Sequence, residues 1–166
     1  MSIIKEDAPE NLTHKELVKA TARWLENNYR SPLKCSIVIA ELKTANSETP
    51  DVIGFRYGNS ILVECKVSRA DFLSDKKKHF RQEPSQGMGD KRYYIAPKGK
   101  IKPHELPDKW GLFEIYDSGI IKMIKEAELF DEVDKHSEII VLASVIRRLE
   151  ISTAVFVRPE ELDNGS

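Results

Sequence analysis

The fold is decided by the stretch Asp51-Val52-Ile53-Gly54-Phe55-Arg56-Tyr57-Gly58-Asn59-Ser60-Ile61-Leu62-Val63-Glu64-Cys65-Lys66-Val67, which is two apolar segments joined by a tight turn. Gly58-Asn59 is a two-residue turn of the hairpin type, so the segments are expected to be antiparallel neighbours. Side chains alternate along a strand, which places Glu64 and Lys66 on one face and Cys65 on the other. The hairpin then folds Asp51 back toward Glu64 and Lys66. Two carboxylates and one ammonium are therefore expected to converge at one end of the hairpin.

The segments around this hairpin alternate between helical and extended patterns. Thr13 and Glu16 form a capping box that starts a helix, which ends before Ser31-Pro32. The other predicted elements are strands at 35–42 and 91–96, helices at 68–82 and 137–149, and a hairpin at 112–116 and 120–124. This order predicts an α/β fold in which a mixed central sheet is flanked by helices. We expect one domain over residues 1–166, with its core at about 13–125 and a C-terminal helix and tail at 126–166.

The composition excludes several classes of protein. The chain has 166 residues, of which 40% are hydrophobic and 32% charged, and this argues against wholesale disorder and against a membrane protein. No secretory signal is visible, so a cytoplasmic location is expected. Two cysteines, Cys35 and Cys65, are too few for a disulfide framework. The sequence lacks a phosphate-binding Gly-x-x-x-x-Gly-Lys motif, so no nucleotide cofactor is expected.

The convergence of Asp51, Glu64 and Lys66 has two interpretations. A buried pair of carboxylates is costly unless a cation relieves it, and Mg²⁺ accepts one or two carboxylates while keeping several waters. The backbone carbonyl of Cys65 is a further hard oxygen ligand, and Lys66 can orient a water and offset charge at a phosphoryl group. The alternative is a structural cluster of ion pairs at the edge of a sheet.

The same residues carry a family resemblance. Pro50-Asp51 followed by Glu64-Cys65-Lys66, in this order of helix and strands, resembles the PD-(D/E)XK nuclease superfamily, whose fold is called restriction-endonuclease-like. The longer run at 64–77 is similar to a branch of small bacterial and phage proteins described as DNA-repair-type nucleases. The segment at 87–94 is similar to phage-encoded members, and the resemblance covers about residues 13–116.

The resemblance implies a Mg²⁺- or Mn²⁺-dependent enzyme that hydrolyses DNA phosphodiester bonds, more as an endonuclease than as an exonuclease. Such an enzyme would act in DNA repair, recombination or phage DNA processing, in a bacterium or encoded by a phage. Asp51 and Glu64 would bind the metal and Lys66 would assist the attacking water. Many members use one further acidic residue, for which Glu41 is the first choice and Glu16 the reserve. A homodimer is possible, because a small nuclease domain often needs one to cut both strands.

The charge distribution supports a polyanionic partner. Between Lys66 and Lys102 the chain has 11 basic and 4 acidic residues, whereas the remainder has 15 and 23. A basic segment in a near-neutral protein is typical of a nucleic-acid patch, although a solvated helix face is the alternative. Asp75 is expected to be one of the solvated charges on that face. The candidate DNA-binding residues are Lys76, Lys77, Lys78, Arg81, Gln86, Lys91 and Arg92.

A second hypothesis uses the same patch without catalysis. In that case the chain is a catalytically silent, nuclease-like module that binds DNA or a protein partner.

Overall fold

A computed structural model of the protein describes residues 7–29, 31–44 and 48–150. Its helices are α1 (His14–Asn27), α2 (Arg69–Asp75), α3 (His79–Gln82) and α4 (Lys135–Arg148). Its strands are β1 (Ile37–Ala40), β2 (Val52–Arg56), β3 (Asn59–Cys65), β4 (Lys91–Pro97), β5 (Gly111–Ile115) and β6 (Ile121–Lys125). Two short 3-10 helices lie at Pro84–Gln86 and Pro103–Glu105. Parts of the expected loop at 43–49 and the whole tail from 151 lie outside the described residues.

The six strands form one mixed sheet in the order in which they occur along the chain. β3, β4 and β5 are parallel neighbours, and antiparallel strands extend the sheet on both sides. A parallel connection needs a crossover, and the segment from α2 through α3 supplies it between β3 and β4. The predicted α/β fold with a mixed central sheet flanked by helices is confirmed.

The hairpin that carries the candidate site forms as expected, but its turn is one residue earlier. Val52 pairs with Val63 and Arg56 pairs with Asn59, so the two turn residues are Tyr57 and Gly58. Both have positive φ values, 42° and 78°. This conformation matches the right-handed twist of the flanking strands, which favours it over the predicted position.

Each face of the sheet has its own hydrophobic core. Leu17 and Leu25 of α1 pack on one face, with Cys65 and Tyr93 among the buried residues there. On the other face, Phe72 of α2 is buried with strand residues and with Val141 of α4. The sheet alternation therefore separates Cys65 from the site residues on either side of it, as the sequence predicts.

The expected continuous helix at 68–82 is wrong, because α2 ends at Asp75 and α3 begins at His79. Residues 76–78 form a turn between them. In a continuous helix, positions 75 and 81 would be about 120° apart around the axis and could not contact each other. The break brings the Arg81 guanidinium against the Asp75 carboxylate, with 2.9 Å between Nε and Oδ2.

In the described part of the chain, no helix is both long and apolar enough to span a bilayer.

We expect Gly54→Ala to lower the free energy of unfolding by about 1–3 kcal/mol, because it overpacks the core. A Cβ at this position would clash with the Cys35 Sγ atom and lie 2.9 Å from the Cys35 Cβ atom. Urea unfolding of Gly54→Ala, Cys35→Ala and the double variant checks the cause. The double variant should cost less than the two single changes added together. Strict additivity would show that this contact is not the source of the strain.

Candidate active site

The structure brings Asp51, Glu64 and Lys66 together at the end of the β2–β3 hairpin. Glu64 lies on β3, Lys66 follows that strand directly, and Asp51 precedes β2. The Lys66 Nζ atom is 3.1 Å from Glu64 Oε2 and 3.9 Å from Asp51 Oδ2. Glu64 and Lys66 are buried, whereas the Asp51 side chain keeps 18% of its surface exposed. The predicted convergence of these three side chains is therefore present.

Asp51 is fixed from two sides. Its Oδ2 atom accepts a hydrogen bond of 2.8 Å from the Cys65 backbone N–H. Its Oδ1 atom is 3.3 Å from Nε2 of His14, the first residue of α1. Glu41 completes this corner, since its Oε1 atom is 3.5 Å from His14 Nδ1. Donor atoms of His14, Glu41 and Asp51 all lie within 4.8 Å of one another.

Glu41 and Glu16, the two candidates for a further acidic residue, have different surroundings. Glu41 is half exposed beside Asp51 and has a positive φ of 49°. Glu16 instead accepts hydrogen bonds from the backbone and hydroxyl of Thr13, which completes the capping box of α1. The geometry therefore places Glu41 at the site and leaves Glu16 as a helix cap.

Arg81 is buried, and this corrects its expected place on the exposed basic surface. Its side chain is 2% exposed and lies 3.3 Å from carboxylate oxygens of both Glu48 and Glu64. With the 2.9 Å contact to Asp75, one guanidinium joins three carboxylates from three chain segments. It also lies over the ring of Trp110, 4.6 Å from the centroid. A buried arginine needs such partners, so Arg81 is part of the site's framework.

Asp75 is also buried, although the sequence suggested a solvated charge. Its carboxylate is 2.7 Å from Lys78 Nζ and 3.3 Å from Lys66 Nζ. It accepts a further hydrogen bond of 2.7 Å from the Tyr94 hydroxyl. The end of α2 turns Asp75 toward the sheet, where it neutralises the cations that surround Glu64.

Burial and neighbouring charges set the ionisation of this cluster. Burial raises the pKa of Glu64, with further upward contributions from Asp51 and Asp75, and Arg81 and Lys66 offset only part of this shift. Burial opposes the charge of Lys66, but Glu64, Asp75 and Asp51 outweigh it and raise its pKa. For Asp75, Arg81 and Lys66 outweigh burial and hold the pKa below its ordinary value. The Lys66 amine therefore stays protonated among the neighbouring carboxylates.

Arg92 is the second candidate DNA-binding residue that the structure removes from the surface. Its side chain donates hydrogen bonds to the carbonyls of Gly89, Pro84 and Gly87, at 3.0, 2.7 and 2.9 Å. It is 1% exposed and stacks on Phe130. A long donor-rich side chain satisfies the carbonyls of the loop before β4, which is a structural role.

The remaining candidates lie in different places. Lys76, Lys77 and Lys78 form the turn after α2, beside the site. Gln86 is hydrogen bonded to His79 at 2.8 Å. Lys91 forms an ion pair with Glu126. It is the first residue of β4 and lies three residues, or about 10 Å along the strand, before Tyr94, which pairs with Glu64.

Two residues that contact the site, His14 and Glu48, were not among the residues predicted from the sequence. His14 had a usable signal, because it lies two residues from Glu16, in the helix that was considered as a source of another ligand. Glu48 lies in a polar loop without periodicity, so no local pattern marks it. Its carboxylate reaches the site because it also accepts the Met88 N–H at 2.9 Å, a contact 40 residues away in the chain.

Comparison with known proteins adds information on the fold. No protein-family model matches the chain, and no curated protein matches it significantly. A similar solved structure is the SPO1766 protein of unknown function from Silicibacter pomeroyi, with a TM-score of 0.60 and 21% sequence identity. The match covers 84% of this chain and 91% of that chain. At this identity, the likeness concerns the α/β fold alone.

We expect Arg81→Met to lower the free energy of unfolding by about 3–5 kcal/mol, because it leaves buried carboxylates without their shared cation. Lys78→Met is the matched control. Its side chain is 51% exposed, so we expect a loss below about 1 kcal/mol. Urea unfolding measures both.

Should Arg81→Met fail to fold, Arg81→Lys provides the test. A lysine keeps the charge but has one nitrogen, whereas Glu48, Glu64 and Asp75 each face a different nitrogen of Arg81, so an intermediate loss is expected. Equal stability of wild type and both variants would contradict the framework role of Arg81.

The lowered pKa of Asp75 predicts a pH dependence of stability. Because its folded pKa lies below the unfolded value, the charged group stabilises the protein above the ordinary carboxyl range and this contribution is lost as pH falls. Asp75→Asn should therefore flatten the decline in unfolding free energy between about pH 5 and pH 2. Denaturant titrations in the presence of a chelator measure it.

Glu64→Gln is the contrasting variant. The raised pKa of Glu64 means that its contribution is present at low pH and lost as pH rises above the unfolded value. Replacing it should remove a decline toward neutral pH rather than one toward acid. The same change of slope in both variants would contradict the assigned directions.

Proposed function

We propose that this protein is a metal-dependent nuclease that hydrolyses phosphodiester bonds of DNA. The observation that carries the proposal is the meeting of Asp51, Glu64 and Lys66 at the carboxyl end of β3, with 3.1 Å between Lys66 Nζ and Glu64 Oε2. Burying acids and an amine costs free energy of hydration, so a cluster of this kind is a candidate for a functional site. Binding of a divalent cation and a phosphate group would be a function that needs these groups.

The residues fit a divalent cation. Asp51, Glu41 and Glu64 supply hard carboxylate oxygens, which suit Mg²⁺, and His14 adds an imidazole, which Mn²⁺ also accepts. The donor atoms of His14, Glu41 and Asp51 are close enough to share one ion. The Cys65 carbonyl stays a proposed ligand, next to the N–H that orients Asp51.

The protein's own groups have separate tasks in this proposal. When bound, the metal would polarise the phosphoryl oxygen and lower the pKa of a water. Asp51 and Glu64 would hold the ion, and the N–H of Cys65 orients the Asp51 carboxylate. Lys66 remains protonated, orients the attacking water and offsets negative charge on the phosphoryl group as the bond breaks.

The finer fold assignment belongs to the same proposal. The order of elements supports a restriction-endonuclease-like core. It consists of a helix, three antiparallel strands, a helical crossover and a strand parallel to the third. DNA repair, recombination or phage DNA processing is the setting that the resemblance suggests. A homodimer would supply two such sites for the two strands of a duplex.

One observation favours the non-catalytic alternative. Both oxygens of Glu64 already face cations, with Oε1 3.3 Å from Arg81 and Oε2 3.1 Å from Lys66. A carboxylate satisfied in this way can serve stability alone. In a silent module, DNA binding would persist while no divalent cation bound at Asp51 and Glu64.

We expect purified protein to cut DNA with Mg²⁺ or Mn²⁺ and to stop when EDTA is added. Asp51→Asn and Glu64→Gln should each reduce the rate at least about a hundredfold, since the metal supplies several kcal/mol of transition-state stabilisation. Lys66→Met should cost about 10²–10³-fold. A cleavage screen on duplex, single-stranded and branched DNA measures these rates.

Glu16→Gln is the matched control, because glutamine preserves the capping box and should leave the rate unchanged. Calorimetric titration with Mn²⁺ separates the roles: Asp51→Asn should weaken binding strongly, and Lys66→Met should retain it. Pure wild-type protein that binds the metal but cuts none of these substrates would refute the proposal.

A further inference from the structure

The loop that follows β4 presents a row of lysines. Lys98, Lys100 and Lys102 alternate with other residues, and no acidic residue occurs before Glu105. Ile101 between them is 2% exposed and packs in the core shared with α2 and α4. Lys100 and Lys102 are exposed. A buried anchor therefore holds the loop while its lysines extend into solvent.

Backbone hydrogen bonds give this loop a defined shape. The Gly99 N–H donates to Glu114 Oε1 at 2.8 Å, and the Lys100 N–H donates to the Pro97 carbonyl at 3.1 Å. The Lys102 N–H donates to Glu105 Oε2 at 3.0 Å. The backbone of the loop is thus ordered before any ligand arrives, which lowers the entropic cost of binding.

The loop lies at the same end of the sheet as the candidate active site. β3 and β4 are parallel, and Cys65 pairs with Ile95, three residues before Lys98. The Lys76 ammonium donates to the Glu105 carbonyl at 2.7 Å, which ties the loop to the end of α2. Arg69 forms an ion pair with the Glu105 carboxylate. Two lysine-rich segments, 76–78 and 98–102, therefore border the carboxyl end of β3.

The lysines of this loop have different surroundings. Lys98 lies over the Tyr116 ring, at 5.3 Å from the centroid. Within the part of the chain that the structure describes, no carboxylate lies within ion-pair distance of the ammonium of Lys100 or Lys102. Exposed lysines that stay unpaired beside a phosphate-handling site attract a polyanion.

We propose that Lys100 and Lys102 bind the phosphodiester backbone of the DNA that enters the site. This inference rests on the proposed function and names where its substrate is held. Lysine is a compact point charge on a flexible stem, so the contacts position DNA without reading its bases. The loop thereby replaces the buried Arg81 and Arg92 as part of the DNA-binding surface.

The test measures how the affinity for a fluorescent DNA duplex of random sequence depends on salt concentration. Fluorescence anisotropy reports the binding, and Ca²⁺ replaces Mg²⁺ in the buffer. Each phosphate contact contributes about 0.9 to the slope of log affinity against log salt concentration. Lys100→Gln with Lys102→Gln should lower the slope by about 1.8 and weaken binding at least about tenfold at low salt. Thermal melting should show an unchanged fold.

Lys34→Gln with Arg56→Gln is the matched control. It removes the same net charge at the opposite end of the sheet, where β2 ends and β3 begins, and should leave the slope unchanged. An unchanged slope in the Lys100 and Lys102 double variant, an equal loss in the control, or a wild type that does not bind DNA would each overturn the inference. Wild-type binding with the expected slope but without cleavage would refute the nuclease and leave this surface intact.

Discussion

The candidate site depends on one buried cation, the guanidinium of Arg81. It contacts carboxylates of Glu48, Glu64 and Asp75, which come from a loop, a strand and a helix. Isolated charges in a protein interior lose several kcal/mol of hydration each, and only mutual contacts recover this. The three nitrogens of the rigid arginine fork each face a different one of these acids, which the single nitrogen of a lysine could not do. The packing of three segments around Glu64 is therefore an electrostatic consequence of one side chain.

With this arrangement, the proposed metal site would be rigid and still able to accept a cation. Arg81 and Lys66 are buried and hold Glu64 from two sides, so they fix its direction. Lys78 is half exposed, and its ammonium lies 4.0 Å from Glu64 and 2.7 Å from Asp75. An exposed side chain can leave at little cost. An arriving cation at this edge would therefore exchange with Lys78 rather than disturb the buried framework.

Local patterns predicted the part of the site that one hairpin positions. Strand alternation fixes Glu64 and Lys66 on one face, and a tight turn returns Asp51 to them, so no long-range information is needed. The contribution of Glu48 comes from contacts between segments distant in sequence, which no local pattern contains, whereas His14 lies in the helix that the sequence already offered as a source of a ligand. Helical periodicity over 68–82 also obscured the break after Asp75, because periodicity contains no signal for the Asp75–Arg81 contact that the break permits.

The basic segment shows why a charge count cannot by itself define a binding surface. The arginines of this segment are either buried or ion paired: Arg81 and Arg92 are buried, and Arg69 forms an ion pair with Glu105. The exposed remainder around the site consists of lysines. Arginine forks satisfy fixed carboxylates and carbonyls, whereas mobile ammonium groups suit phosphates whose positions vary. In the proposed complex with DNA, a surface of this kind would favour contacts with the nucleic-acid backbone over recognition of base sequence, because specificity for bases would require forked or amide side chains directed into a groove.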